Sequence, residues 1–434
     1  MSEALTLHDA MANHEMNTFP GQPMGLTSSE WGAAGTVVTH ASEYDDVQRI
    51  MSNDHFAPTR KFVIPAMTDE GREIEQGVKD TPLMVYMDAG AGGSERQKHD
   101  AYRSRLHDSM LPLATYEDIA EAALAKLFAA ESDFAQRIRD GEPFDVAGSS
   151  RDLVRDVLME GAGLIDVHGD EVSPSRLDIL PGQTGTQQWD WLRSARTERD
   201  SALKLLDLRN LAISSTFYWM NLMNSSSSAD RARFAETQNY LTRALRIQAE
   251  RGTPADDTEQ MARLLEVGAG VITLVTAGLD TAGNLTGSAL DKLTRNGGGE
   301  WNRLHDSPDQ VRPFIRDRLA TDPPIHGWLR QAREQVTIGG HAFEAGDIAL
   351  SLLGAANRDP KRGDRPSMAF GGPQKHNVHS CIGAALGQRL SEVIVGGYTR
   401  NVARATHIDG SEERDYTDAA FHGKTFSQAT AEAA

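Results

Sequence analysis

The chain has 434 residues, with 44 Lys and Arg against 62 Asp and Glu for a formal net charge of −18, and a single cysteine. One cysteine excludes an internal disulfide framework and a four-cysteine zinc site, and the acidic balance argues against nucleic acid or an anionic membrane as a general partner. Hydrophobic residues make up 39% of the chain and glycine adds 39 positions, enough to build a sizeable core.

In chain order, the first thirty residues are mixed and polar. They carry no basic start followed by an apolar run, so no signal peptide is expected, and about residues 1–30 are expected to be loosely ordered. Thr36-Val37-Val38-Thr39 reads as a strand. Ala89–Glu95 is a glycine-rich loop ahead of the basic stretch Arg96–Arg105, in which Lys98, Arg103 and Arg105 also stand. From about Tyr116 to Leu293 the pattern is mostly helical, with apolar residues at three- and four-residue spacing in Tyr116–Ile138 and Ala229–Arg251. Phe217-Tyr218-Trp219-Met220 reads as core or as pocket lining, and the serine run Asn224–Ser228 reads as an exposed turn.

Leu264–Leu279 is the most apolar stretch. It carries Glu266 and three glycines and runs into Asp280, too short and polar to span a bilayer. Gly268-Ala269-Gly270 lacks a third glycine and a preceding strand, so a dinucleotide site is not expected. Leu264–Leu293 reads as one long helix ended by the glycines of Asn296–Glu300. Val336–Phe343, with Gly339-Gly340 at its centre, has the form of a hairpin, and a helix is expected over Ile382–Val395. No stretch has the composition of an interdomain linker and no repeat appears. The expectation is one mainly α domain over residues 1–434, with a small β region, in the cytoplasm.

Two segments carry chemistry. In Thr276-Ala277-Gly278-Leu279-Asp280-Thr281, small residues leave a shallow notch for a flat ligand or allow close helix packing. The Thr281 hydroxyl can bond back to the i−4 carbonyl or release it to water, and the neighbouring Asp280 carboxylate could feed protons to that water. In the second segment, Met368-Ala369-Phe370-Gly371-Gly372-Pro373 leads through residues 374–378 to His379-Ser380-Cys381-Ile382-Gly383. A loop thus delivers Cys381 to a helix start, where free amides and the helix dipole are expected to lower the thiol pKa and suit it to a metal. Gly383 again leaves room for a flat group.

Taken together, Ala277-Gly278-x-Asp280-Thr281, followed about a hundred residues later by Phe-Gly-Gly and His379-x-Cys381-x-Gly383, resemble the cytochrome P-450 superfamily. Asp322-Pro323-Pro324 with His326 and Arg330, then Gly354-Ala355-Ala356-Asn357-Arg358-Asp359-Pro360, look like its bacterial members in order and approximate spacing. Met87-Asp88 and His99-x-x-x-Arg103 look like its third long helix, and Tyr44-Asp45-Asp46-Val47 like its second. The resemblance covers about 36–106 and 264–390. It implies a cytochrome P-450-like fold, long helices around a b-type haem, with Cys381 as the proximal iron ligand. It also implies Asp280 and Thr281 as an acid–alcohol pair delivering protons, and His99, Arg103, Arg330 and His379 as partners of the haem propionates. Ala277, Gly278 and Gly383 would make room for the ring. The implied activity is a monooxygenase acting on a small organic substrate in specialised metabolism, with electrons from a ferredoxin-type donor. A non-monooxygenase haem reaction, or a haem-free helper protein, is the alternative.

The chain departs from the family at three places. Where Glu-x-x-Arg is expected, it reads Asp317-Arg318-Leu319-Ala320, and Glu300-Trp301-Asn302-Arg303 has the spelling too far upstream. Only Lys361–Ala369 separates Asn-Arg-Asp-Pro from the Phe-Gly motif, a much shorter loop than the family's. A buried arginine without its partners would be costly, so network and loop are expected to be lost together. Finally, Phe370 stands eleven residues before Cys381, further than in the family. The extra segment includes Lys375, His376 and Asn377, and His376-x-x-His379-x-Cys381 could supply zinc ligands.

Overall fold

The structure, a computed structural model, describes residues 28–58, 96–107, 112–161 and 277–433 with short gaps. Strands β1 (Ser28–Trp31) and β2 (Thr36–Ala41) are followed by helix α1 (Tyr44–Met51) and strand β3 (Phe56–Pro58). Asp45 and Asp46 lie in the first turn of α1, where carboxylates favour the helix dipole, and Val47, Ile50 and Met51 turn inward. The Tyr116–Ile138 pattern is not one helix. It forms α2 (Leu113–Leu127) and α3 (Asp133–Arg139), because Ser132 serves both ends. Its hydroxyl donates to Leu127 O at 2.6 Å and accepts from Ala135 N–H at 3.0 Å, capping α3.

Strand β4 (Phe144–Asp145) leads into α4 (Val146–Gly161). The helix over 281–294, α5, is buried on nearly every face, as expected of a helix at the centre of a large core. It needs small residues to be so enclosed. A Cβ on Gly287 would already touch Ala147 of α4 at 3.4 Å. Next come α6 (Gly299–Asp306) and α7 (Val311–Thr321), then β5 (Gly327–Ala332). The expected hairpin forms β6 (Val336–Ile338) and β7 (His341–Phe343), with Gly339 and Gly340 at φ 57° and 81°, the left-handed conformation such a turn requires. Strand β8 (Ile348–Leu352), helix α8 (Leu353–Arg358) and helix α9 (Ala384–Asn401) follow.

One sheet has the order β1-β2-β8-β5-β3, with β2 and β8 parallel and the other pairs antiparallel. The chain closes on β9 (Val402–His407), β10 (Glu413–Tyr416), β11 (His422–Phe426) and β12 (Gln428–Ala433). Of these, β12 pairs with both β4 and β9. The main core joins α2, α4, α5 and α9 through Leu124, Leu158, Leu285, Leu290, Ile394 and Tyr398. Each such fully buried side chain contributes roughly 1.5–3 kcal/mol. A second core under the sheet holds Met51, Phe56, Ala332 and Met368, so the sheet abuts the loop that carries the cysteine.

Candidate functional site

The cysteine loop is built mostly from backbone hydrogen bonds. Met368 N–H donates to Asn357 Oδ1 at 2.6 Å, and Gly371 N–H donates to Met368 O at 2.9 Å. Gly371 and Gly372 then take φ of 83° and 81°, reversing the chain as only glycine does readily. Despite the lengthened segment, Cys381 N–H donates to Phe370 O at 3.0 Å, so the two ends of the segment meet. Asn377, buried at 2% exposure, spans that neck through Gly371 O and His379 N–H. Lys375 and His376 lie outside the described residues.

Helix α9 begins just after the cysteine, with Gly383 as its N-cap residue, and the Gly383 N–H donates to the Cys381 sulfur. A Cβ on Gly383 would meet only that sulfur among the described residues, at 3.9 Å, so the space beside it is open. The expected lowering of the thiol pKa is overturned. Cys381 is solvent-accessible but embedded in the wall of the protein, and burial pushes its pKa up against the opposing pull of the Gly383 amide and the Arg103 charge. Loss of hydration here outweighs one amide and one cation.

Arg103 therefore stands close enough to sense the cysteine, and burial in turn pushes its own pKa down, opposed first by Cys381. The His99 ring, fully buried, lies edge-on to His379 with centroids 4.8 Å apart. Its Nδ1 faces Asp100 at 3.1 Å, and burial holds its pKa down. Thus His99, Arg103, His379, Cys381 and Gly383 come together. Arg330 is fully buried in β5, on the sheet next to this loop. Thr281 opens the described part of α5, and its hydroxyl donates to Ala277 O at 2.7 Å, the i−4 bond expected for it. Ala277 is exposed, whereas a Cβ on Gly278 would come within 3.0 Å of Leu158 Cδ1. Close packing with α4 accounts for that glycine. Asp280 lies outside the described residues, as do Lys98, Arg105, 217–220, 224–228 and 229–251. Helices α5 and α9 touch where the Thr286 and Ser391 hydroxyls meet at 2.9 Å.

In place of the missing Glu-x-x-Arg network stands a different one. Arg318 pairs with Asp322, which lies 3.3 Å from His326 Nε2. The carbonyl of Leu319 accepts from Asn357 at 3.4 Å and Ser367 at 3.2 Å, and Thr321 O accepts from Arg358 at 2.9 Å. The short loop after α8 is tied to α1, where Tyr44 N–H donates to Asp359 and Tyr44 O–H to Pro366 O, each at 2.8 Å. Glu300 and Arg303 form only an exposed ion pair within α6.

No family model matches the chain. Cytochrome p450 CYP199A2 of Rhodopseudomonas palustris is 30% identical over 159 residues, covering 34% of this chain and 37% of that protein. Cytochrome P450 107B1 of Saccharopolyspora erythraea is 29% identical over 202 residues, covering 41% and 48%. The matched regions thus span less than half of these relatives' lengths. Among solved structures, a mutant of P450 EryK in complex with erythromycin B aligns with a TM-score of 0.62 at 17% identity, covering 99% of this chain and 97% of that one. The chain has the cytochrome P450 fold, and over part of its length its sequence is similar to bacterial cytochrome P450s. P450BioI, solved in complex with an acyl carrier protein carrying hexadec-9Z-enoic acid, aligns with a TM-score of 0.61 at 15% identity, covering 93% and 94%.

The likeness to cytochrome P450s implies haem, and the residues present fit it. His99 Nε2 and Arg103 Nη1 are buried polar atoms that find no hydrogen-bond partner among the described residues. Leaving such buried polar atoms unpaired is costly unless a ligand meets them. With them comes a thiol with an open flank, a group of residues suited to an anionic ligand with a soft metal centre.

Proposed function

We propose that this chain binds b-type haem through Cys381 and acts as a monooxygenase on a small organic molecule in specialised metabolism. The observation that carries the reading is the setting of the sulfur. One backbone amide is aimed at it, Arg103 lies beside it, and the flank next to Gly383 is open. A haem held here supplies the activation of O₂, with thiolate donation favouring O–O cleavage. The b-type follows from the cysteine count, because a chain whose one cysteine is the ligand has no thiol left for covalent attachment.

The other roles belong to the protein. Gly383 N–H limits the charge on sulfur. Arg103, Arg330, His99 and His379 would meet the propionates. Ala277 would leave room for the ring, while Gly278 lets α4 pack close. The Thr281 hydroxyl, held by Ala277 O, keeps lone pairs to accept from water and passes protons on, with Asp280 as their source. Electrons come from a ferredoxin-type donor, which goes with a cytoplasmic site of action.

The test is NADPH- and ferredoxin-dependent O₂ uptake by the haem-loaded chain, with product measured against NADPH consumed. Thr281→Ala should lower product per NADPH by about tenfold or more while NADPH oxidation continues. Uptake absent on every substrate tried would instead assign the chain to haem chemistry without monooxygenation.

A further inference from the structure

We infer that Asn377, a residue of the lengthened segment, is the positioning residue that holds the Cys381 loop closed for metal ligation. The inference rests on the haem-thiolate reading above. A loop lengthened between Phe370 and Cys381 faces a physical problem, since more chain raises the entropy cost of bringing its ends together. The ends nevertheless meet through Cys381 N–H and Phe370 O at 3.0 Å.

Asn377 supplies the reason. Its Nδ2 donates to Gly371 O on the outgoing strand at 2.8 Å, and its Oδ1 accepts from His379 N–H on the returning strand at 2.9 Å. Its own carbonyl accepts from Ser380 N–H at 3.0 Å. The amide orientation is fixed by chemistry, because a carbonyl oxygen can only accept and an N–H can only donate. At 2% exposure these bonds are sheltered from water, and removing the side chain strands a buried acceptor and a buried donor. Both stranded groups lie next to the residues that set the sulfur, since His379 is two positions before Cys381 and Gly371 follows Phe370. A Cβ on Gly371 would stand 2.9 Å from Asn377 Nδ2, so the glycine also makes room for the clamp. Asparagine is the short side chain that offers a donor and an acceptor from one planar group. Aspartate keeps the shape and the acceptor but turns a carboxylate oxygen towards the Gly371 carbonyl.

The experiment compares haem-loaded wild type, Asn377→Ala and Asn377→Asp by the carbon monoxide spectrum of the reduced protein and by reduction potential, with thermal melting as the check on folding. Wild type should show the red-shifted Soret band of thiolate ligation. Asn377→Ala should lower the ratio of thiolate-ligated to non-thiolate form by about tenfold or more, since both side-chain hydrogen bonds of the clamp are lost. Asn377→Asp should fall between them and, if Asn377→Ala does not fold, decides alone. Folded variants with the wild-type band ratio and potential would overturn the role of Asn377 while leaving haem-thiolate ligation intact. A wild type without the band would overturn both.

Discussion

His40 shows how far a side chain's setting governs its chemistry. It lies in β2, at 8% exposure, opposite Leu350 of β8, and burial lowers its pKa from 6.5 to about 4. Above pH 6.5 the imidazole is neutral in the folded and unfolded chain alike. As pH falls from 6.5 towards 4, the unfolded chain takes a proton that the folded one refuses, so stability is lost across that window, by roughly 3 kcal/mol at its acid end. His40→Gln should flatten this part of the stability–pH curve, measured by urea unfolding at several pH values. An unchanged slope would mean that His40 is not the group responsible. At this scale the resemblance to cytochrome P-450s pointed to Cys381, Gly383, His99, Arg103 and His379, and the structure brings those five residues together. The upward shift of the Cys381 pKa was not legible. It depends on how much protein surrounds the thiol, which no local pattern encodes. Asn377 was hidden for a related reason, since its side chain bonds to backbone groups that only folding brings near.

Among the elements, the contact between α2 and α9 sets the helix that begins at the cysteine. Arg389 of α9 forks onto Glu117 of α2 at 2.7 and 2.8 Å, and Gly397 lets the helices close. A Cβ there would stand 2.4 Å from Leu124 Cδ1 and 3.0 Å from its Cγ. Leu124 is 2% exposed and has nowhere to retreat, so Gly397→Ala should destabilise the chain by about 1–3 kcal/mol through overpacking. Chemical denaturation reads this directly, and a variant as stable as wild type would show that the helices can part without cost. The hairpin 336–343 and the helix after Cys381 were legible from turn chemistry and periodicity. The break at Ser132 was masked, because the apolar spacing continues through it although the residue itself is a good cap. Strand β12 was not read at all. Its partner β4 (Phe144–Asp145) lies far back in the chain, and such long-range pairing leaves a weak local signal.

For the whole molecule, likeness in fold runs much further than likeness in sequence. Solved P450 structures align over 93–99% of the chain at 15–17% identity, whereas the curated relatives match at about 30% identity over only 34–41% of it. Cores tolerate extensive apolar exchange if volume and pattern are kept, so a fold can outlast sequence likeness. The missing Glu-x-x-Arg follows the same logic. Arg318, Asp322, Asn357 and Ser367 satisfy the end of α7 with other side chains, and the short loop is held to α1 instead. Ligation of haem by the Cys381 thiolate is tested most directly by the carbon monoxide difference spectrum of the reduced, haem-loaded chain. The red-shifted Soret band of thiolate ligation should appear in wild type and be absent in Cys381→Ser. A wild-type spectrum without that band, or one that survives Cys381→Ser, would contradict it.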